Sequence, residues 1–229
     1  MPGYPPPYIK IKLNGKVLRP VPHIKYLGIY IDACLNFSYQ TLNTLKKLNR
    51  ANGMLSKARH YVDKNVIKNL YHSLFASHLL YGAQIWGQSK NTHTKRLFTA
   101  QNKALRIISF SDFRASQNPL YSNLEIIKLS DAIKTMNVIF VKKCLDKETP
   151  ACFHSMFKPI LDVHTHDKTL SGSGGIFTSN YITFRFGIKS IAAFCVRDWN
   201  KLIIKCPIDL LKCPTVTLKK ELYEYFRKT

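Results

Sequence analysis

Acidic residues are scarce in this sequence. Nine aspartates and four glutamates stand against 35 lysines and arginines in 229 residues, a formal net charge of +22. The acids are scattered singly, and no two are adjacent. Two-metal phosphoryl chemistry needs carboxylates converging on ions about 3.5–4 Å apart, and no motif here places them so. Long apolar runs are also missing: none reaches the roughly 18 residues of a membrane span. No apolar signal segment follows the opening Met-Pro-Gly-Tyr-Pro-Pro-Pro. The expectation is a nuclear or cytoplasmic chain, not a secreted one, with reduced cysteines. The six cysteines, Cys34, Cys144, Cys152, Cys195, Cys206 and Cys213, lack the close Cys-x-x-Cys spacing of a structural zinc site. A Gly-x-Ser-x-Gly elbow, a His-Glu-x-x-His pair and a phosphate loop ending in Lys are all absent. Ser171-Gly-Ser-Gly-Gly175 has no Lys behind it and reads as a flexible loop.

What is present is a globular composition with a strong positive field. Hydrophobic residues make up 45% and charged residues 21%, which is not a disordered composition. Excess cations gain nothing in a core, so they point outward to a polyanion, and nucleic acid is the commonest one. The field is uneven. Residues 1–110 carry 17 basic and 2 acidic side chains, residues 111–170 carry 8 and 7, and residues 171–229 carry 10 and 4.

The chain opens with β patterning. Ile9 to Leu13 alternates with period two, and Asn14-Gly15 is a strong two-residue hairpin signal because both positions accept positive φ. Lys16 to Arg19 resumes the strand before Pro20 and Pro22 interrupt it. His23 to Ile31 reads as a further strand with a bulge or close approach at Gly28. From Thr41 the period becomes helical. Leu45, Leu48, Ala51, Leu55, Ala58 and Val62 share one face, with Gly53 as a weak point. Asp63 is placed to cap a second helix over 64–81, whose seam is Val66, Leu70, Leu74 and Ser77, broadened by Ile67, Tyr71 and His78. Gly82 and Gly87 bracket a tight junction. Thr94 is placed to cap a helix over 95–109, and residues 110–119 form a polar loop ending at Pro119. A helical turn follows near Tyr121–Lys128. Ser130 is placed to cap a helix over 131–147 with Ile133, Met136, Phe140 and Cys144 inward. Residues 158–180 read as a linker. Ile182, Phe184 and Phe186 alternate as an extended piece. Helices follow near 190–202, carrying Trp199, and near 215–227, burying Leu218 and Leu222.

Lys46, Arg50 and Lys57 lie within about 40° of one another on the helix wheel, opposite the leucines. Two readings of this face stand side by side: a solvated face, or one that meets phosphates. The lack of any acid among them favours the second. Tyr26, Tyr30, Tyr61, Tyr71 and Tyr81 interleave with basic residues, which suits both a backbone-tracking surface and ordinary packing.

At Lys25-Tyr26-Leu27-Gly28 the sequence resembles the primer-grip hairpin of reverse transcriptases from non-long-terminal-repeat (LINE-type) retrotransposons. Asp32 and Leu35-Asn36-Phe37 match its usual continuation. Leu70-Tyr71 with Ser73-Leu74, then His78-Leu-Leu-Tyr-Gly82 running into Trp86-Gly87, resemble the thumb of that family. Gln101-Asn-Lys-Ala-Leu-Arg-Ile-Ile108 resembles the helix that follows. Phe186-Gly187-x-Lys189-Ser190 and Trp199-Asn-Lys-Leu202 resemble a terminal signature, with Ile203 where proline is usual. The paired catalytic aspartates of the family lie upstream of the primer grip and have no counterpart here.

The resemblance implies an α+β, mostly α chain: a β hairpin in residues 1–40 and a helical thumb-like bundle in 41–157. A loop over 158–180 and a small C-terminal helical subdomain in 181–229 complete it. The implied partner is the RNA or DNA duplex backbone of a primer-template, without a membrane. Lys25 and Gly28 fall at the primer grip; Lys46, Arg50 and Lys57, flanked by Arg59 and Lys68, fall along the duplex. No catalytic or metal-binding residue and no cofactor is expected in this chain. Mg²⁺ is expected only for a full-length parent that performs RNA-directed DNA synthesis. The competing expectations are a helical protein-interaction module and a ribosomal or chromatin packing protein.

Overall fold

The computed structural model describes residues 10–87, 91–160, 175–178 and 190–228. The fold is mostly helical, with small antiparallel hairpins at its start. It separates into two compact units, Met1–Ala115 and Ser116–Thr229.

The first unit begins with two hairpins built on local backbone preference. Strands β1 (Lys12–Leu13) and β2 (Lys16–Val17) pair across Asn14 and Gly15, whose φ values of 48° and 76° are those of a two-residue left-handed turn. The expected single strand from His23 to Ile31 is instead a second hairpin. Strands β3 (His23–Tyr26) and β4 (Ile29–Asp32) pair in register Tyr26 to Ile29. Leu27 and Gly28 form the turn at φ 45° and 80°. Gly28 is therefore a turn residue and not a bulge; Leu27, an unfavourable left-handed residue, hid the signal.

The link into the first helix is held by two polar side chains. The Asp32 carboxylate accepts the Asn36 N–H at 2.8 Å, and the Asn36 amide oxygen accepts the Ser38 N–H at 2.9 Å. Helix α1 (Ser38–Ala58) then runs unbroken through Gly53 and buries Leu48, Ala51 and Leu55. Asn52 donates to the Ala100 carbonyl at 3.1 Å and so ties α1 to helix α5 (Asn91–Ile108).

Helix α2 (Lys64–Leu70) is capped as expected, with Asp63 accepting from the N–H groups of Asn65 and Val66 at 2.9 and 2.8 Å. It continues as a π-helical segment, Tyr71–Ala76, and then α3 (Ser77–Leu80). The buried seam is Ile67, Tyr71, Phe75 and Leu79, in place of the expected line through Val66, Leu70, Leu74 and Ser77. Residues four apart drift about 40° per step on a regular α-helix, and the wider π turn cancels the drift. Gly82, at φ 60°, turns the chain into α4 (Ala83–Trp86), and Trp86 is fully buried. Because α5 already runs from Asn91, Thr94 lies inside it, buried, and does not cap it.

In the second unit, Pro119 sits in the first turn of α6 (Gln117–Leu124) and does not end a loop. The missing N–H costs nothing there. Helix α7 (Leu129–Leu145) starts at Lys128, so Ser130 is likewise internal. Strand β5 (Phe157–Pro159) pairs antiparallel with β6 (Ile176–Thr178), so the ends of the expected 158–180 linker are a strand pair; residues 161–174 and 179–180 lie outside the described residues. So do the alternation at Ile182, Phe184 and Phe186 and the Phe186-Gly187 part of the terminal signature. Helix α8 (Ile191–Lys205) is capped by Ser190, which accepts the Ala193 N–H at 3.3 Å. Helix α9 (Thr215–Lys228) closes the unit. Its core gathers Val138, Val141 and Cys144 with Phe157, Ile176, Trp199, Leu202, Leu218 and Leu222. The Asn200 side chain clamps Ile176 from both sides, accepting its N–H at 3.0 Å and donating to its carbonyl at 2.9 Å. That contact gives the Trp199-Asn200 pair a structural role: tryptophan fills the core, and asparagine fixes a strand against it. The cysteines are free thiols, and burial pushes the Cys144 and Cys206 thiols up.

Candidate nucleic-acid interface

Helix α1 contains no acidic residue. Its inner face is committed to the core, so everything charged is forced outward. Lys46, Arg50 and Lys57 are all exposed, as is Lys47 beside them. At about 1.5 Å per residue, Lys46 and Lys57 stand about 17 Å apart along the axis. Among the described residues, none of the three belongs to an ion pair. The structure therefore presents a line of cations without counter-charge on a rigid element, an arrangement that can meet phosphates regardless of base sequence.

The second hairpin is fastened to the helical part by the Tyr81–Trp86 corner. The Tyr81 hydroxyl donates to the Leu27 carbonyl at 2.6 Å, and the Trp86 indole N–H donates to the Tyr81 carbonyl at 2.8 Å. Gly28 is favoured by its φ of 80°, and Gly82 by both its φ of 60° and a steric overlap. A Cβ on Gly28 would come 3.3 Å from Tyr81 Cε1, and one on Gly82 would overlap Ile29 Cδ1. At the other end, Gln40 of α1 accepts the Tyr30 N–H at 2.9 Å. The Tyr-Gly and Trp residues that drew attention in the sequence thus form a clamp that sets the hairpin.

The sequence-predicted residues fall into groups. Lys46, Arg50 and Lys57 share one face of α1. Lys25 and Gly28 share the second hairpin, where exposed Lys25 faces the cross-strand Tyr30 ring at 5.8 Å. Arg59, at the C-cap of α1, is half-buried and lies over the Phe110 ring at 5.1 Å. That stacking fixes its guanidinium plane. Lys68 is half-buried on α2. Of the interleaved tyrosines, Tyr71 leaves the surface set. It is buried, stacks on Phe75 at 5.3 Å and accepts from Gln101 at 3.3 Å, and burial pushes its pKa up to about 12.

Sequence reasoning missed an aromatic cluster beside Lys25. His23 stacks on Tyr39 at 4.0 Å between ring centroids, and Tyr39 meets Tyr30 edge-on at 4.8 Å. The strand alternation of His23 with Lys25 was the available signal; Tyr39 joins only through the fold. Among the described residues, no three His, Cys, Asp or Glu side chains gather as a metal site, and no helix is long and apolar enough to cross a membrane.

Comparison with known proteins adds an ancestry to this geometry. The chain is 28% identical over 130 residues, 55% of its length, to the RNA-directed DNA polymerase from mobile element jockey of Drosophila melanogaster. It is 31% identical over 138 residues to the "Probable RNA-directed DNA polymerase from transposon X-element" of the same species. The corresponding polymerase from transposon BS is 28% identical over 134 residues. The chain is a distant relative of mobile-element RNA-directed DNA polymerases. It spans 14% of the length of these relatives. No family model and no solved structure matches it.

Proposed function

We propose that this chain is a nucleic-acid-holding part of a LINE-type retrotransposon reverse transcriptase. It lacks the catalytic aspartates, and polymerisation belongs to a longer parent. The observation that carries the reading is the acid-free cation line on α1; the distant relatedness to mobile-element polymerases supports reading the second hairpin as a primer grip. The hairpin region, residues 1–40, acts as the grip, and the helices that follow act as the thumb. Lys46, Arg50 and Lys57 bind phosphates of a primer-template duplex. Lys25 and Gly28 present the hairpin to the primer, and Arg59 and Lys68 flank the duplex. Base reading is not required, because a polymerase must hold any sequence. The divalent-ion chemistry is assigned to the parent and not to these residues.

The test is duplex binding as a function of salt. Each phosphate contact contributes roughly 0.9 to the slope of log K against log salt for duplex DNA. Changing Lys46, Arg50 and Lys57 together to Gln is expected to flatten the slope by about 2–3 units and to weaken all duplex sequences alike. Changing Lys143, Lys219 and Lys220, also exposed, removes the same charge elsewhere. Equal effects of the two triples reduce the α1 face to a diffuse field and refute the assignment. A second reading, a protein-interaction module, is favoured by one observation. The two hairpins expose Leu13, Val17, Ile24, Tyr26 and Leu27, an apolar surface suited to covering by protein. Unchanged duplex affinity in the α1 triple moves that reading ahead.

A further inference from the structure

The second unit holds a cavity of about 460 Å³ that the α1 reading leaves unused. That is within the usual size of small-molecule and nucleotide sites, about 300–1,000 Å³. One wall is α8, which presents Arg197, Lys201 and Lys205, four residues apart and so about 6 Å apart in rise. The facing wall is the start of α7, with Lys128, Asp131 and Lys134. The third wall is α9, with the rings of Tyr225 and Phe226, which meet edge-on at 5.3 Å between centroids.

Five cations thus face two carboxylates, and both carboxylates are already engaged. Asp131 pairs with Lys134 at 2.8 Å. Asp198 accepts from Asn137 at 2.7 Å and lies 3.6 Å from Arg197 Nε. No carboxylate among the described residues pairs with Lys201, Lys205 or Lys128. Lys128 and Phe226 also line a smaller, separate cavity of about 110 Å³ beside Arg227. There the Arg227 Nε is buried with no hydrogen-bond partner among the described residues. The empty space, the excess of cations and the aromatic wall occur together along one groove.

We propose that this groove is a second nucleic-acid site that takes a single strand. Phosphates sit on Lys201 and Lys205, and a base packs against Phe226. The inference rests on the nucleic-acid reading above for its ligand class but on different residues, a different unit and a different strand state. A duplex is too wide for a cavity of this volume, whereas a phosphate with its base fits. Successive cations on α8 follow the direction of an extended backbone. Aromatic stacking beside cations binds single strands with little sequence preference.

The experiment measures anisotropy of fluorescein-labelled oligo(dT) and oligo(U) with the full chain. Lys201→Gln with Lys205→Gln, both exposed, is expected to weaken single-strand binding about tenfold. Two lost contacts on a single strand should also flatten the salt slope by about 1.4, at roughly 0.7 each. Lys219→Gln with Lys220→Gln removes equal charge outside the groove and should change affinity less than twofold. Phe226→Leu removes the ring and keeps an apolar side chain, and hydrogen exchange of the α7 and α8 peptides checks that the second unit stays folded. Single-strand affinity should fall about fivefold, the lower end of the loss seen on removing a stacking ring. Equal losses in the two lysine pairs overturn the proposal, as does an equal loss of duplex and single-strand binding in the first pair. Binding of phosphatidylserine vesicles in place of the oligonucleotides, lost in the same pair, overturns it in favour of a lipid surface. Failure of the duplex reading shows separately, in the α1 triple on duplex DNA.

Discussion

Replacing Gly82 by Ala tests how the hairpin is set on the helices. The site has two separable costs. Gly82 has φ 60°, and an L-residue in that left-handed well costs about 1–2 kcal/mol. The added methyl also overlaps Ile29 Cδ1 and approaches Ile29 Cγ1 at 3.2 Å. Ile29 is buried, so its side chain has little room to yield, and overpacking of this kind costs about 1–3 kcal/mol. The sum is on the order of 2–5 kcal/mol, a large share of a domain's stability. Two compact units need not unfold together, so a single midpoint is a poor readout. Hydrogen exchange followed by mass spectrometry on the α1 and α5 peptides reads the first unit directly. Ile29→Val removes the overlapping Cδ1 at a cost of about 0.5–1.5 kcal/mol alone. Combined with Gly82→Ala it should recover at least 1 kcal/mol relative to additivity, leaving the backbone strain and the milder 3.2 Å contact with the remaining γ carbon. Gly53→Ala is the internal control. That glycine is helical with nothing within 4 Å of an added Cβ, so alanine should stabilise by about 0.5–1 kcal/mol. Additive behaviour of Gly82→Ala with Ile29→Val, or a Gly82→Ala cost below about 1 kcal/mol, refutes the steric account of the corner.

Three further outcomes are expected. Gly15→Val places a β-branched residue at φ 76° and should cost about 1–3 kcal/mol; because the first hairpin is exposed, faster amide exchange should appear there and not in α1 or α5. Tyr71 is held neutral by burial, with its pKa raised from 10.0 to about 12. The unfolded chain ionises first, so stability present below pH 10 should fall by roughly 2–3 kcal/mol between pH 10 and 12, and Tyr71→Phe should remove that part of a urea-midpoint profile. Primer extension by this chain on any primer-template, with Mg²⁺ or Mn²⁺, should not exceed a buffer control, and template-dependent incorporation contradicts the non-catalytic assignment.

The residues that were legible in the sequence are those whose conformation is decided by near neighbours. Asn14-Gly15 makes its turn because both positions tolerate positive φ, and Asp63 caps α2 because its carboxylate reaches N–H groups two and three residues on. The outer face of α1 follows from the 3.6-residue period and the leucines that oppose it. Thr94 and Ser130 failed as caps for the converse reason. A hydroxyl residue before an apolar run is a good local start signal, yet α7 begins one residue earlier at the buried Leu129, and in α5 Thr94 is itself buried inside a helix that runs from Asn91. The seam of α2 and α3 slipped by one residue because the π segment at Tyr71–Ala76 changes the period. Nothing in a window of apolar residues reports that change.

The sequence by itself determined the strong positive charge, the change from β to helical patterning near Thr41, and which helix carries cations without acids. Those properties are sums over composition or repeat over a few residues, so they survive without knowledge of contacts. Tertiary structure alone decided where distant residues meet. Tyr81 reaches Leu27 across 54 positions, and Asn137 reaches Asp198 across 61. Lys128 and Lys205 come to face one cavity only because α7, α8 and α9 close around Trp199. The division at Ala115 and Ser116 falls in a polar stretch that reads as an ordinary loop. Such features depend on which apolar faces find each other, and that is a property of the whole core and not of any segment.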